Sequence, residues 1–339
     1  MINLISDTVT KPTPEMLQAM MEAEVGDDVF GQDPTVNKLE HYIAKLFAKE
    51  AALFCPSGTM TNQLAIKCHT QALDEVICDI SSHVYQYESA GYAFHSGISV
   101  NLLNGINGKF TPEQLKSAIK PSFDWLPKSK LVVLENTCNK GGGSIYTLPE
   151  AQAIKAVCEA HDLKFHLDGA RIFNALIETG ENPSDWGKIF DSISICLSKG
   201  LGAPVGSLLL GDKDFIAQAR RFRKVFGGGM RQAGYLAAAG LFALKNNITR
   251  LSKDNAKAKQ IGQHLQTLSF VSDVRPVQSN IVIFDLAGDH QADIFLENIK
   301  AKGIHAVAFG PQTVRFTFHL EINDIDLEKV MTVLNNYKQ

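Results

Sequence analysis

From residue 51 to about residue 211, short apolar runs alternate with longer helical stretches. AALFC is followed by SGTMTNQLAIKCHTQAL, EVICD by a polar and aromatic stretch around HVYQYESAGYAF, and KLVVLEN by LPEAQAIKAVCEAHDL; KFHLD, FDSISICLS and VGSLLLG close the series. Apolar runs of about four to eight residues are strands covered on both faces, and the helical stretches between them are the crossovers of a parallel sheet. The pattern predicts an α/β fold with a mostly parallel sheet sandwiched by helices.

An N-terminal arm, residues 1–14, precedes the first helical pattern, PTPEMLQAMMEAEV, which has prolines near its first turn. In PTVNKLEHYIAKLFA, the helically spaced Leu39, Tyr42, Ile43, Leu46 and Phe47 should face the core. After residue 212 the pattern is helical through FIAQARRFRKVF, RQAGYLAAAGLFALKN and a long polar helix. It then changes to strands NIVIFDL and TVRFTFHL, helices DHQADIFLENIKAKG and DIDLEKVMTVLNNY, and the apolar run HAVAF between them. The expected division is a large α/β domain over 15–248 and a smaller C-terminal α+β domain over 249–339.

Composition narrows the function. A formal net charge of −3 in 339 residues offers no basic surface for nucleic acid or an anionic membrane. No run approaches the roughly 18 apolar residues that span a bilayer, and the N-terminus lacks a basic then apolar leader pattern, so a cytoplasmic protein is expected. The six cysteines form no CxxC pair and sit mostly in apolar runs, as buried free thiols do, and no metal site is expected.

In a parallel sheet, ligands bind beyond the carboxyl ends of the strands. Four such ends carry unusual residues. In CPSGTMTNQ a strand gives way to Ser57-Gly58-Thr59 at a helix start, where free N–H groups and a glycine suit a phosphate, or where a serine simply caps the helix. SSHVYQYESAG places His83, with Tyr85, Tyr87 and Glu88, after EVICD; an imidazole there can stack on a flat ring or carry a proton, or be an ordinary surface histidine. FHLDGARIFNA ends a run in Asp168, with Arg171 three residues on as an alternative partner. ISICLSKGLGAP puts Lys199 at the next strand end, where a partly desolvated amine is a nucleophile toward aldehydes. A phosphate cradle, a flat partner, an acid and an amine are the set that pyridoxal phosphate requires.

The motifs SDTVTKP, VGDDVFGQDPTVNKLE, FCPSGTMTNQLA, LENT, HLDGARIFNA, LSKGLGAPVGS, GGGMRQ and VRFTFH run almost end to end. By them the chain resembles the threonine aldolases of the low-specificity L-type, fold-type I pyridoxal phosphate enzymes with a transferase-like fold. The resemblance implies retro-aldol cleavage of L-threonine, L-allo-threonine and other L-β-hydroxy-α-amino acids to glycine and an aldehyde. A β-eliminating lyase, a phenylserine aldolase and an inert cofactor-binding relative stand as alternatives.

Residue by residue, the resemblance implies that Lys199 bonds the cofactor aldehyde, Asp168 meets the pyridine nitrogen, His83 stacks on the ring, and Gly58 and Thr59 hold the phosphate. Ser6, Arg171 and Arg315 match positions for the substrate carboxylate or the cofactor's ring oxygen. Arg231 matches a residue that reaches a cofactor across a subunit interface, and Lys224 a basic neighbour of it. The implied assembly is a homotetramer, a dimer of dimers with active sites at the dimer interface. Tyr87 is a further expected substrate contact. Two positions depart from the family pattern: Cys138 stands in LENTCNKGGG where many members have LENTH, and Trp125 aligns with a second active-site histidine. An aromatic wall from Trp125 is the expectation.

Overall fold

The computed structural model describes residues 1–337. Its strands, in chain order, are β1 (Ile2–Asn3), β2 (Ala51–Cys55), β3 (Asp74–Asp79), β4 (Ser99–Leu103), β5 (Lys128–Glu135), β6 (Lys164–Asp168), β7 (Ser192–Cys196) and β8 (Ser207–Gly211), followed by β9 (Val271–Val274), β10 (Ile281–Leu286), β11 (Ile304–His305), β12 (Val307–Ala308) and β13 (Thr313–Thr317).

Seven strands form the large sheet in the order β2-β8-β7-β6-β5-β3-β4. Pairing is parallel from β4 through β7, and β8 runs antiparallel to both of its neighbours. The strands are as apolar as the sequence pattern demands: β3, β7 and β8 are buried along their whole length. Helices cover them, and from Pro34–Leu46 and its C-cap Phe47 the side chains of Leu39, Ile43 and Phe47 are fully buried while Tyr42 and Leu46 pack at the margin. β4 escapes the sequence pattern because it is an edge strand that is exposed at Ser99, half-buried through Leu102 and buried only at Leu103.

A second, four-stranded sheet in the order β12-β13-β10-β9 is antiparallel throughout and carries its own apolar cluster around Phe284, Phe295, Phe316 and Phe318. Ile2 and Leu4 of the N-terminal arm belong to that cluster, because β1 pairs in parallel with β11. The arm continues across the second sheet, where the Thr317 N–H donates to Leu4 O. The chain's first residues thus lie against its last hundred, and residues 6 and 7 emerge between the two sheets.

Candidate active site

Register explains why the strand-end residues meet. Glu135, Asp168 and Ser194 are successive partners across β5, β6 and β7, so their side chains share one face at the carboxyl edge of the sheet. The helix Gly58–His69 packs on that face: Thr61 Oγ1 lies 2.6 Å from Ser194 Oγ, and the Asn62 amide donates to Asp168 Oδ2 at 2.9 Å. Asp168 is buried, and its other oxygen takes the Ala170 N–H at 3.3 Å. It does not pair with Arg171.

His83 opens a short helix after β3. Its Nδ1 donates to Glu88 Oε1 at 2.9 Å, and the same oxygen takes a second proton from Asn62 at 2.8 Å. The Gln63 amide holds the other Glu88 oxygen at 2.6 Å. Burial opposes charge on the imidazole, but Glu88 and Asp168 outweigh it and raise the His83 pKa above its ordinary value. With Nδ1 committed, Nε2 is the nitrogen left to face a ligand. Nitrogen and oxygen atoms of His83, Glu88 and Asp168 lie within 4.8 Å of one another, a separation that the shared Asn62 donor accounts for.

Ser57 caps the helix Gly58–His69, accepting from the Met60 N–H at 3.2 Å. The N–H groups that begin a helix lack partners within it and are donors an anion can take. Gly58 is required by packing: a Cβ there would lie 2.6 Å from Cys196 Sγ at the end of β7. Beside it, the buried hydroxyl of Ser207 has no partner among the described residues. Lys199 follows β7, half-buried, and its charge acts on both Asp7 and His83.

Arg171 grips Asp7 with two bonds of 2.7 Å, from Nε to Oδ2 and from Nη2 to Oδ1, and Asn280 adds a third donor to that carboxylate at 3.1 Å. Burial by itself would raise the Asp7 pKa; Arg171, then Lys199 and Asn280, hold it down at about 2. Arg315 reaches the same place from β13. It donates to Asn139 Oδ1 at 2.8 Å and to Ile5 O at 2.7 Å, and lies 4.3 Å from the centre of the Phe309 ring. Its Nε is buried without a partner, and burial together with the Arg171 charge lowers its pKa to about 10. Neither Glu321 nor Asp324 is bound to it; Glu321 takes the Lys11 N–H instead.

The remaining expected residues are placed as follows. Ser6 caps a short turn, its Oγ accepting from Thr8, and adjoins Asp7. Tyr87 is 46% exposed, with its ring 5.6 Å from that of His83. Thr59 and Lys224 are exposed, and Arg231 pairs with Asp27 at 2.9 Å on the surface. The fold does not bring Trp125 to this cluster: it is 74% exposed, stacked on Phe123, and precedes the amino end of β5, the opposite edge of the sheet from Lys199. Cys138 is buried, with its thiol toward Glu135 O and Gly108 O, and burial pushes its pKa up.

Asp7, Asn62 and Glu135 were not selected from the sequence, and Glu88 was noted beside His83 without a role. Glu135 accepts the backbone N–H groups of His83 and Asn139 at 2.8 Å each, and burial with the Asp168 charge pushes it up to about 7. The signal was present in LEN, a carboxylate closing an apolar strand, as in HLD.

Fold and site together define an α/β enzyme whose strand-edge cluster offers an amine, a buried acid and two guanidiniums to an anionic ligand. The sequence matches the beta-eliminating lyase family over residues 3–288. It is 40% identical over 331 residues to the low specificity L-threonine aldolase of Escherichia coli O157:H7, covering 97% of each chain. It is 37% identical over 338 residues to low-specificity L-threonine aldolase 1 of Arabidopsis thaliana, covering 98% of this chain and 94% of the relative. Among solved structures, the threonine aldolase of Leishmania major has the same fold with a TM-score of 0.87 at 22% identity over 99% of each chain. A serine palmitoyltransferase from S. paucimobilis with bound PLP gives a TM-score of 0.78 at 18% identity, over 98% of this chain and 86% of that one. The chain belongs to the beta-eliminating lyase family, and within it to the threonine aldolases.

Proposed function

We propose that this protein cleaves L-threonine, L-allo-threonine and other L-β-hydroxy-α-amino acids to glycine and an aldehyde, with pyridoxal phosphate as its cofactor. The observation that carries the reading is the charge layout: of two buried guanidiniums, Arg171 takes the Asp7 carboxylate in a two-pronged pair, so Arg315 is left without an anionic partner of its own. The residues present fit the cofactor, because the unpartnered Ser207 hydroxyl and the open N–H groups at Gly58 and Thr59 suit its phosphate. When bound, pyridoxal phosphate supplies an aldehyde for the substrate amine and an electron-withdrawing ring for the electrons of the broken Cα–Cβ bond.

The protein's own residues do the rest. Lys199 would provide the amine that holds the cofactor through its aldehyde. Asp168, fixed by Asn62, accepts a hydrogen bond from the protonated ring nitrogen and keeps that proton in place. His83, its Nδ1 tied to Glu88, presents a flat face to the ring and its Nε2 toward the substrate side. Arg315 takes the substrate carboxylate through its unpartnered Nε edge, while Arg171 is steered by Asp7. Ser6 and Tyr87 border the same opening.

The functional unit we propose is a homo-oligomer, a dimer of dimers with active sites at the dimer interface, in which Arg231 and Lys224 serve the neighbouring site. Phe30, Phe94 and Val225, each more than 70% exposed, are side chains that an interface would cover. A Trp125 contact with substrate then requires the Trp125 of another subunit. No helix among the described residues is long and apolar enough to cross a membrane, and the free cysteines fit the reducing cytoplasm we propose as its compartment.

A substrate panel tests the reading. L-Threonine, L-allo-threonine and L-phenylserine should release acetaldehyde or benzaldehyde with glycine, and their D-isomers should not. Pyruvate and ammonia in place of glycine and aldehyde would make the protein a β-eliminating lyase, and a yellow but inert protein would make it a binding relative.

A further inference from the structure

Behind Asp168, on the same face of the sheet but toward the amino end of the strands, lies a line of polar side chains, three buried and one half-buried, for which the proposed reaction has no use. The His69 Nε2 is 2.8 Å from Ser192 Oγ, that oxygen is 2.8 Å from His166 Nδ1, and His166 Nε2 is 3.1 Å from Asn62 Oδ1. Ser192 and His166 are direct partners in the β6–β7 register, and both are fully buried. His69 and Asn62 belong to the helix Gly58–His69 that packs across them.

The direction of every bond in this line follows from its end. Asn62 Nδ2 faces two carboxylates, Asp168 and Glu88, which accept and cannot donate. Its oxygen therefore faces His166, so Nε2 of His166 carries a proton and donates. Nδ1 of the neutral ring must then accept, so the Ser192 hydroxyl donates to it and is left to accept from His69 Nε2. Neutrality of both rings is what their surroundings impose: burial lowers His166 to about 4, and burial with His166 beside it lowers His69 to about 3.

We propose that His69, Ser192, His166 and Asn62 are positioning residues, a one-way hydrogen-bond chain that aims one amide at Asp168 and Glu88 and thereby sets both the acid for the ring nitrogen and the His83 imidazole. The two protons of Asn62 Nδ2 go to the two carboxylates, one of which serves the cofactor directly and the other through His83. Without His166 the Asn62 oxygen is buried with no donor, and the amide loses what holds it. This inference rests on the proposed cofactor reading.

The test compares His166→Leu, which removes the donor, with His166→Gln, whose amide nitrogen restores a donor toward Asn62. Ser192→Ala breaks the chain one link further back with little change of volume. Bound pyridoxal phosphate is followed by its absorption and dissociation constant, alongside kcat and KM for L-threonine and the melting temperature. The expected result is a pyridoxal phosphate affinity and a kcat each reduced about tenfold or more in His166→Leu, with KM within about twofold and most of the loss recovered in His166→Gln. Ser192→Ala should shift the same two quantities by a smaller factor.

Wild-type affinity and kcat in His166→Leu would overturn the proposal, as would a His166→Gln enzyme that melts normally yet performs no better than His166→Leu. If His166→Leu does not fold, unchanged cofactor affinity and kcat in Ser192→Ala overturn it. A wild-type protein that takes up no pyridoxal phosphate would instead strike down the cofactor reading.

Discussion

Replacing Arg315 by glutamine removes one positive charge from a place where the unliganded protein tolerates it poorly. The guanidinium is 8% exposed, makes two hydrogen bonds to neutral oxygens, leaves Nε without a partner, and has no carboxylate against it. Burial and the neighbouring Arg171 lower its pKa from 12.5 to about 10, equivalent to about 3 kcal/mol of unfavourable charge. A substrate carboxylate relieves most of that, so its loss should lower kcat/KM for L-threonine by about 10². The loss should appear chiefly as a higher KM, because the carboxylate is held alike before and during bond cleavage. Steady-state assay of acetaldehyde release measures it. Cofactor absorption should be unchanged, and the melting temperature should fall by no more than about 4 °C, since a strained cation leaves together with its two hydrogen bonds. Arg315→Lys, a point charge without the planar fork, should fall between the two. A KM within threefold of wild type in Arg315→Gln, or a loss of activity that simply tracks loss of cofactor, would refute the reasoning.

Lys199→Ala should abolish turnover together with the absorption band of covalently held cofactor, and a band that survives in the purified variant would remove Lys199 from its role. Asp168→Asn should keep part of the cofactor affinity and lose most of the activity, because an amide does not hold the ring nitrogen's proton; near-wild-type kcat would contradict this. For Asp7, whose folded pKa is depressed to about 2, the stabilising contribution is complete above its ordinary 3.8 and is lost as pH falls through 2, amounting to about 2 kcal/mol. The melting-temperature gap between wild type and Asp7→Asn should therefore be wide at pH 7 and shrink as pH falls from about 4 toward 2, and a gap independent of pH would count against the Arg171–Asp7 pair as its source. Trp125→His should change the ratio of rates on L-threonine and L-allo-threonine if a neighbouring subunit's loop reaches substrate, and an unchanged ratio would exclude that contact.

The fold was legible because burial on both faces leaves a plain trace in sequence. β3, β7 and β8 are short runs that stay apolar, and the strand ends that carry His83, Asp168 and Lys199 follow directly from them. β4 and β9 were not legible, since each is an edge strand whose partial exposure removes the trace. The residues proposed to face the ligand stood out in the sequence because a lysine, an aspartate or a histidine at a strand end is conspicuous by type. Their supports were missed for the opposite reason. Asn62 and Ser192 are common residues in helix and strand, and only the register of β6 on β7 and the packing of one helix show that they face each other.

Asp7 shows the limit most sharply. It lies 164 residues from Arg171 in the chain, in an arm with no periodic pattern, yet it decides which guanidinium is satisfied. Because Asp7 takes both forks of Arg171, Arg315 is left as the cation with an open edge. The arm reaches that place only because β1 adds to β11 and carries residues 5 to 7 between the two sheets. Ile5 O then holds Arg315 while Asp7 holds Arg171, so one short segment fixes a cation from each sheet at once. A site built this way is assembled only when both sheets and the arm are in register. Loosening β1 should therefore disturb the placement of Arg171 and Arg315 well before it disturbs the proposed phosphate cradle, which draws on the start of the helix Gly58–His69 with β7 and β8.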